Sequence, residues 1–255
     1  MDHLLNLLSK AWEAVAAHLA AELLALGIVA GLGWLISQTP FSRRYKEAEL
    51  HLKRAKALQE AERFEQAQAE IGRAIKILED PRRSRILAEA YLRSGDIDMN
   101  LKQWKSAIQQ YTLAKEEATA AKKASLLDVI YLRLGSACKM SGDLNQAYAC
   151  IDQARILQER TQENPVLGET YALLGEIDRR RELLDTAISF YLRALPYQER
   201  IRDRRSQAST HVALGDLYDR KQMNKEFKEQ YQAARELYDE IGDTSIAQML
   251  AQKIN

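Results

Sequence analysis

A glycine at position 135 recurs in phase every 40 residues: Gly95, Gly175 and Gly215 keep its place, and Ala55 holds it at the start of the series. Two further series run in step with it. One reads Ala67, Ala107, Ala147, Ala187 and Phe227, and the other Ala74, Ala114, Ala154, Ala194 and Ala234. Between them lies a series of large residues, Ile71, Tyr111, Ile151, Tyr191 and Tyr231. Self-similarity at one period over this length predicts a repeat array, in which each unit is too small to bury its apolar face alone and stacks on its neighbours.

The stretch 131–155 shows what one unit is. Tyr131, Leu134, Gly135 and Cys138 fall at i, i+3, i+4 and i+7, one face of a helix. Ser141, Gly142 and Asp143 interrupt that pattern, and a second helix then carries Ala147, Ile151 and Ala154 inward. The unit is therefore a helical hairpin. Small residues sit where two backbones approach closely, and large ones fill the space between hairpins.

These residues resemble the tetratricopeptide repeats. Tyr171, Leu174, Gly175, Ala187, Tyr191 and Ala194 follow the order of that family's consensus, as do Leu214, Gly215, Tyr218, Tyr231 and Ala234. The 40-residue period and the linkers at 199–203 and 240–243 look like the subtype with longer helices, found in G-protein-signalling modulators of the mitotic spindle and in bacterial peptide-sensing regulators. The resemblance covers about residues 46–255. It implies an all-α, right-handed α-solenoid of five hairpins, in units of about 46–84, 85–124, 125–164, 165–204 and 205–243, with a capping helix at 244–254. It implies little about function, because the shared residues are packing residues.

Departures from the consensus carry their own expectations. Asp98 and Asp178 stand where an aromatic is usual, which predicts a looser or more polar groove there. Phe227 replaces an alanine in the last unit, as befits a repeat that faces water on one side. Pro196 falls inside a predicted helix and should kink or shorten it. Cys138 and Cys150 read as two small buried residues in a reducing compartment, without ligand-like spacing.

Residues 1–41 are of another kind. From 14 to 36 the chain is apolar apart from His18 and Glu22, and as a helix those 23 residues span roughly 34 Å, enough to cross a hydrocarbon layer of about 30 Å. A single-pass membrane anchor is expected, with a buried or oligomer-forming helix as the alternative. Arg43, Arg44 and Lys46 follow the apolar run, so the positive-inside tendency leaves the repeats on the cytoplasmic side. Leu4, Leu5, Leu8, Trp12 and Val15 form an apolar stripe suited to lying along the membrane surface first. Gly27 and Gly31 form a small-xxx-small pair through which two such helices would approach, giving a homo-oligomer.

Chemistry in the enzymatic sense finds no support. There is no Gly-rich phosphate loop and no nucleophile elbow, and the histidines at 3, 18, 51 and 211 are scattered. His51 and His211 take the repeat site of Tyr91, Tyr131 and Tyr171 and read as packing residues. No enzyme, cofactor or metal is expected, and a formal net charge of +1 with interleaved signs disfavours nucleic acid.

The resemblance places the first helix of each unit on a concave, peptide-binding face. One site on it reads Lys53, Arg93, Arg133, Leu173 and Ala213, with Arg179 and Arg180 extending the positive character. That stripe would meet an acidic peptide. It reads equally as a solvated face paired with acids such as Glu89 and Glu169. The lysine and asparagine pattern with which chaperone-binding members hold a carboxyl terminus is not recognisable. The expected function is a non-enzymatic, membrane-anchored adaptor that binds a protein or peptide in its groove. The alternatives are a membrane effector or sensor whose amino-terminal helix oligomerises on partner binding, and an assembly factor for a membrane complex.

Overall fold

The structure is a computed structural model that describes residues 40–78, 85–122, 124–160 and 165–254. The readings for the amino-terminal segment, Gly27 and Gly31 included, lie outside the described residues. Regular structure among the described residues is entirely helical. It comprises α1 (Pro40–Glu60), α2 (Phe64–Leu78), α3 (Arg85–Asn100), α4 (Trp104–Ala120), α5 (Ala124–Ser141), α6 (Leu144–Glu159), α7 (Leu167–Arg180), α8 (Leu184–Arg200), α9 (Arg204–Arg220), α10 (Asn224–Glu240) and α11 (Thr244–Ile254). No described helix is long and apolar enough to cross a membrane.

Consecutive helices pair as hairpins, α1 with α2 through α9 with α10, and each hairpin packs on the next. The phased small residues explain why. A Cβ on Gly95 would lie 2.5 Å from the Tyr111 ring, and one on Gly215 would lie 2.6 Å from the Tyr231 ring. At Gly135 it would overlap Ile151 Cγ1 and stand 3.0 Å from the Ala147 carbonyl oxygen. The large residue of the second helix thus sits directly on the glycine of the first. The array is a TPR-type α-solenoid, and its central core runs without a break from Tyr111 through Leu134 and Ile151 to Leu174.

The turns repeat as faithfully as the helices. A residue in the left-handed region follows every described helix that leads into a turn within one hairpin, at Glu62, Lys102, Gly142, Glu182 and Gln222, and again between hairpins at Lys122, Arg202 and Gly242. In the first set the next residue's N–H reaches back to a carbonyl five residues earlier, as from Gln103 to Asp98 (2.8 Å) and from Leu183 to Asp178 (2.9 Å). This is the Schellman closure, which satisfies carbonyls that the helix end would leave open.

Three expectations need correction or detail. The first helix opens at Pro40, ahead of the expected start near 46, and proline suits a first helical position because its missing N–H is not needed there. Pro196 does not shorten α8, which runs unbroken to Arg200. Pro196 and Leu192, whose carbonyl loses its partner, are both exposed, so water can take the missing bond. Asp98 and Asp178 do not open the groove either. Both are buried, Asp98 between Gln68 Nε2 (3.0 Å) and Ser106 Oγ (2.5 Å), and Asp178 against Arg181 Nη1 (3.1 Å). Asp98 thus joins the two flanking helices by hydrogen bonds where an aromatic would do so by area, while Asp178 bonds to the cap residue of its own helix.

The histidines follow the same logic. His51 Nδ1 lies 2.7 Å from Glu70 Oε2, and His211 Nδ1 lies 2.7 Å from Gln230 Oε1, at corresponding sites of the first and last hairpins. In the fourth hairpin that site is a ring contact, Tyr171 on Phe190 at 6.3 Å. Cys138 is buried and Cys150 half-buried in the central core. At the far end α11 covers Tyr231 and Tyr238 with Ala247 and Leu250, and turns Met249 to solvent.

Candidate functional site

The first helices of successive hairpins touch one another, α1 with α3, α3 with α5 and α7 with α9, in addition to their contacts with the second helices. The array therefore curves towards these first helices, and their outward faces line its concave side. Lys53 and Arg93 line one cavity between α1 and α3, and Leu173, Arg179 and Ala213 line another between α7 and α9.

In the amino-terminal half the basic residues are interleaved with acids. Lys53 and Arg93 line a cavity of about 260 Å³ together with Glu49, Leu52, Lys56, Ile86 and Glu89. Glu89 accepts from Arg85 Nε at 2.6 Å. Arg133 Nε stands 3.6 Å from Asp96 Oδ1, which also accepts the Tyr111 hydroxyl at 2.7 Å. Burial pushes the Asp96 carboxyl above its ordinary range, against the Tyr111 hydrogen bond and the Arg133 and Arg93 charges.

Further along, Glu176 holds two cations, Lys139 Nζ at 2.6 Å and Arg180 Nη2 at 2.8 Å. Burial works to raise its pKa, but the Lys139 hydrogen bond and the charges of Lys139, Arg180 and Arg179 outweigh it and hold Glu176 below the usual range. Arg180 is thus engaged by a carboxylate of its own helix. Positive character along this face is largely compensated, and no group of His, Cys, Asp or Glu among the described residues is placed to hold a metal ion.

The carboxyl-terminal half differs. Between α7 and α9, with α8 behind them, lies a cavity of about 780 Å³, in the range of sites that enclose a ligand. Leu173, Ala172 and Ala213 make its apolar middle. Two polar atoms in its walls are buried without a hydrogen-bond partner, Arg179 Nε and Gln198 Oε1. Such groups are rare in folded proteins and costly, and they need an explanation.

Gln198 has a counterpart one period earlier. Gln158 Oε1 accepts from Thr170 Oγ1 at 2.7 Å, closing the same seam between the preceding hairpins. Thr210 stands in the corresponding place opposite Gln198, is itself buried, and lines the cavity, but the corresponding bond is not made. One seam is closed and the next is open. Gln198 and Thr210 were not among the residues expected from sequence, although the spacing of Gln158 with Thr170 and Gln198 with Thr210 would have shown the pair.

No protein-family model matches the chain, and a comparison with curated proteins finds no match. Solved structures do resemble it. The aspartyl phosphate phosphatase F of Bacillus subtilis aligns over 83% of this chain and 59% of its own, with 17% identity and a TM-score of 0.61. MamA aligns over 78% of this chain and 95% of its own, with 17% identity and a TM-score of 0.60. The nearly identical TPR-like repeats of a putative kinesin light chain from Podosopora anserina align over 80% of this chain and 98% of their own, with 13% identity and a TM-score of 0.64. At these identities the likeness is one of fold, and it supports the TPR type.

Proposed function

We propose that this chain is a non-enzymatic adaptor whose concave face takes a segment of a partner protein, and which residues 1–41 hold to the cytoplasmic face of a membrane. The observation that carries the binding reading is the cavity between α7 and α9, with Leu173 and Ala213 at its centre and two unpartnered polar atoms in its walls. It is favoured over the basic stripe because Arg133 and Arg180 already have carboxylate neighbours. The anchor rests on the apolar run from 14 to 36 and the basic residues after it.

The test is affinity purification of the full chain from native membranes, beside Leu173→Glu and Lys53→Ala. A charge placed in the apolar middle should remove the recovered partner, and loss of Lys53 should leave it. Equal recovery with Leu173→Glu would reject this cavity as the binding site. The intact chain should also stay with membranes through a carbonate wash, and its release would reject the anchor.

A further inference from the structure

The cavity has two unlike ends. Gln198 marks one of them, since its Cγ lies 3.3 Å from where a Cβ on Gly168 would sit, at the start of α7. Glu169 follows on the same turn. It is exposed, lines the cavity, and has no ion-pair partner among the described residues. Asp203 adds a second carboxylate there, and Arg205 at that end is engaged by Asp243 at 3.3 Å. This end offers a free carboxylate and a buried acceptor, with 3% of Gln198 exposed.

The other end carries Arg179, near the close of α7. Its Nε is a buried donor without a partner, and Glu176, one turn earlier on the same helix, is held by Lys139 and Arg180. Tyr191, beside it in the wall, is hydrogen-bonded to the Arg179 guanidinium, which leaves the Nε donor open. Between Glu169 and Arg179 run ten residues of helix, about 15 Å. Extended chain covers that distance in four to five residues at about 3.3 Å each.

The geometry points to an occupant of matching polarity: we infer that the cavity takes an extended internal segment of a partner protein that carries a lysine or arginine and, four to five residues from it, an aspartate or glutamate, with an apolar side chain such as leucine between them. The cation meets Glu169, and its neighbouring backbone N–H meets Gln198 Oε1. The carboxylate meets Arg179, and the apolar side chain rests on Ala172, Leu173 and Ala213. The two unpartnered atoms in the wall are then satisfied, and the carboxylate of Glu169 is matched. This rests on the adaptor reading above and adds which sequences that groove selects.

The test uses end-blocked synthetic peptides of alanine and one central leucine, with lysine and glutamate separated by one, four or eight residues, titrated against the full chain by fluorescence anisotropy. Four intervening residues should bind at least tenfold more tightly than one or eight. Replacing the peptide lysine by alanine should weaken binding to the wild type about tenfold and have no effect on binding to Glu169→Gln. Replacing the peptide glutamate should likewise have no effect with Arg179→Met. The Gln198→Leu variant, which removes the acceptor but keeps the packing volume, should weaken all peptides alike.

Binding that is blocked by Leu173→Glu but indifferent to spacing and charge would overturn the polarity and leave the groove reading standing. Failure of every peptide to bind would overturn both. Equal binding of an unblocked alanine pentapeptide would show that free termini supply the charges, and would overturn an internal segment as the occupant.

Discussion

The two halves of the concave face are built from the same hairpin and hold different chemistry. Around α1 and α3 the face is narrow, about 260 Å³, and each cation stands among acids. Around α7 and α9 it opens to about 780 Å³, with an apolar middle and polar atoms that lack partners. The backbone period is unchanged, so the difference arises from a few side chains. Where Lys53 and Arg93 line the narrow cavity, the short apolar side chains of Leu173 and Ala213 line the wide one. A repeat scaffold separates the residues that set its shape from those that set its selectivity.

The largest test of that separation strikes the scaffold itself. Gly135→Leu forces a side chain into Ile151 and the Ala147 carbonyl, and should cost about 1 to 3 kcal/mol or more in a chemical denaturation experiment. Gly95→Leu and Gly215→Leu make the same insult under Tyr111 and Tyr231. Because hairpins couple mainly to their neighbours, Gly215→Leu should abolish peptide binding at the wide end, and Gly95→Leu should leave most of it. Equal loss from both would mean that the halves do not act separately.

Next comes the ion pair that borders the wide half. The Lys139 side chain is 12% exposed and bonded to Glu176, so Lys139→Met should cost about 1.5 to 3 kcal/mol, as for a hydrogen bond to a charged group. The two halves should also answer acid in opposite senses. Glu176 has a lowered pKa, so its contribution is present above the unfolded value near 4.5 and is lost as pH falls through the lower folded value. Asp96 is raised above 3.8, so its charged form costs stability at neutral pH, and acidification through the folded value relieves that cost. Melting curves of Glu176→Gln and Asp96→Asn against pH should therefore depart from the wild type with opposite signs. The smallest effect is expected of Arg133→Ala, whose exposed pair with Asp96 at 3.6 Å should be worth under about 1 kcal/mol, with little effect on peptide binding.

Much of the architecture was legible because packing repeats. Gly95, Gly135, Gly175 and Gly215 each sit beneath the large residue of the second helix, and a relation that recurs shows itself as a period. What did not recur was hidden. Asp98 and Asp178 occupy an aromatic's site and suggest a polar groove until the distances to Gln68, Ser106 and Arg181 show them inside the packing. Pro196 predicts a kinked or shortened α8, yet the helix keeps its full length to Arg200 with Pro196 facing solvent. The open Gln198 depends on whether Thr210 closes a seam, and nothing in the residue types distinguishes it from the closed pair of Gln158 and Thr170. Ion pairing along the groove likewise depends on reach between helices.

Among the described residues the left-handed turn positions are spaced by multiples of 20, half the sequence period, at Glu62, Lys102, Lys122, Gly142, Glu182, Arg202, Gln222 and Gly242. At Lys122 and Arg202 the joint between hairpins is therefore the same left-handed bend as the joint inside one, while the helices it connects are not alike. A chain of this kind cannot be lengthened by a single helix. One added helix would send every later groove-lining face to the convex side, where its glycines would find no large side chain above them. Duplication or loss is tolerated only two helices at a time, which ties the length of the binding face to whole multiples of the hairpin and leaves the residues along it free to change one by one.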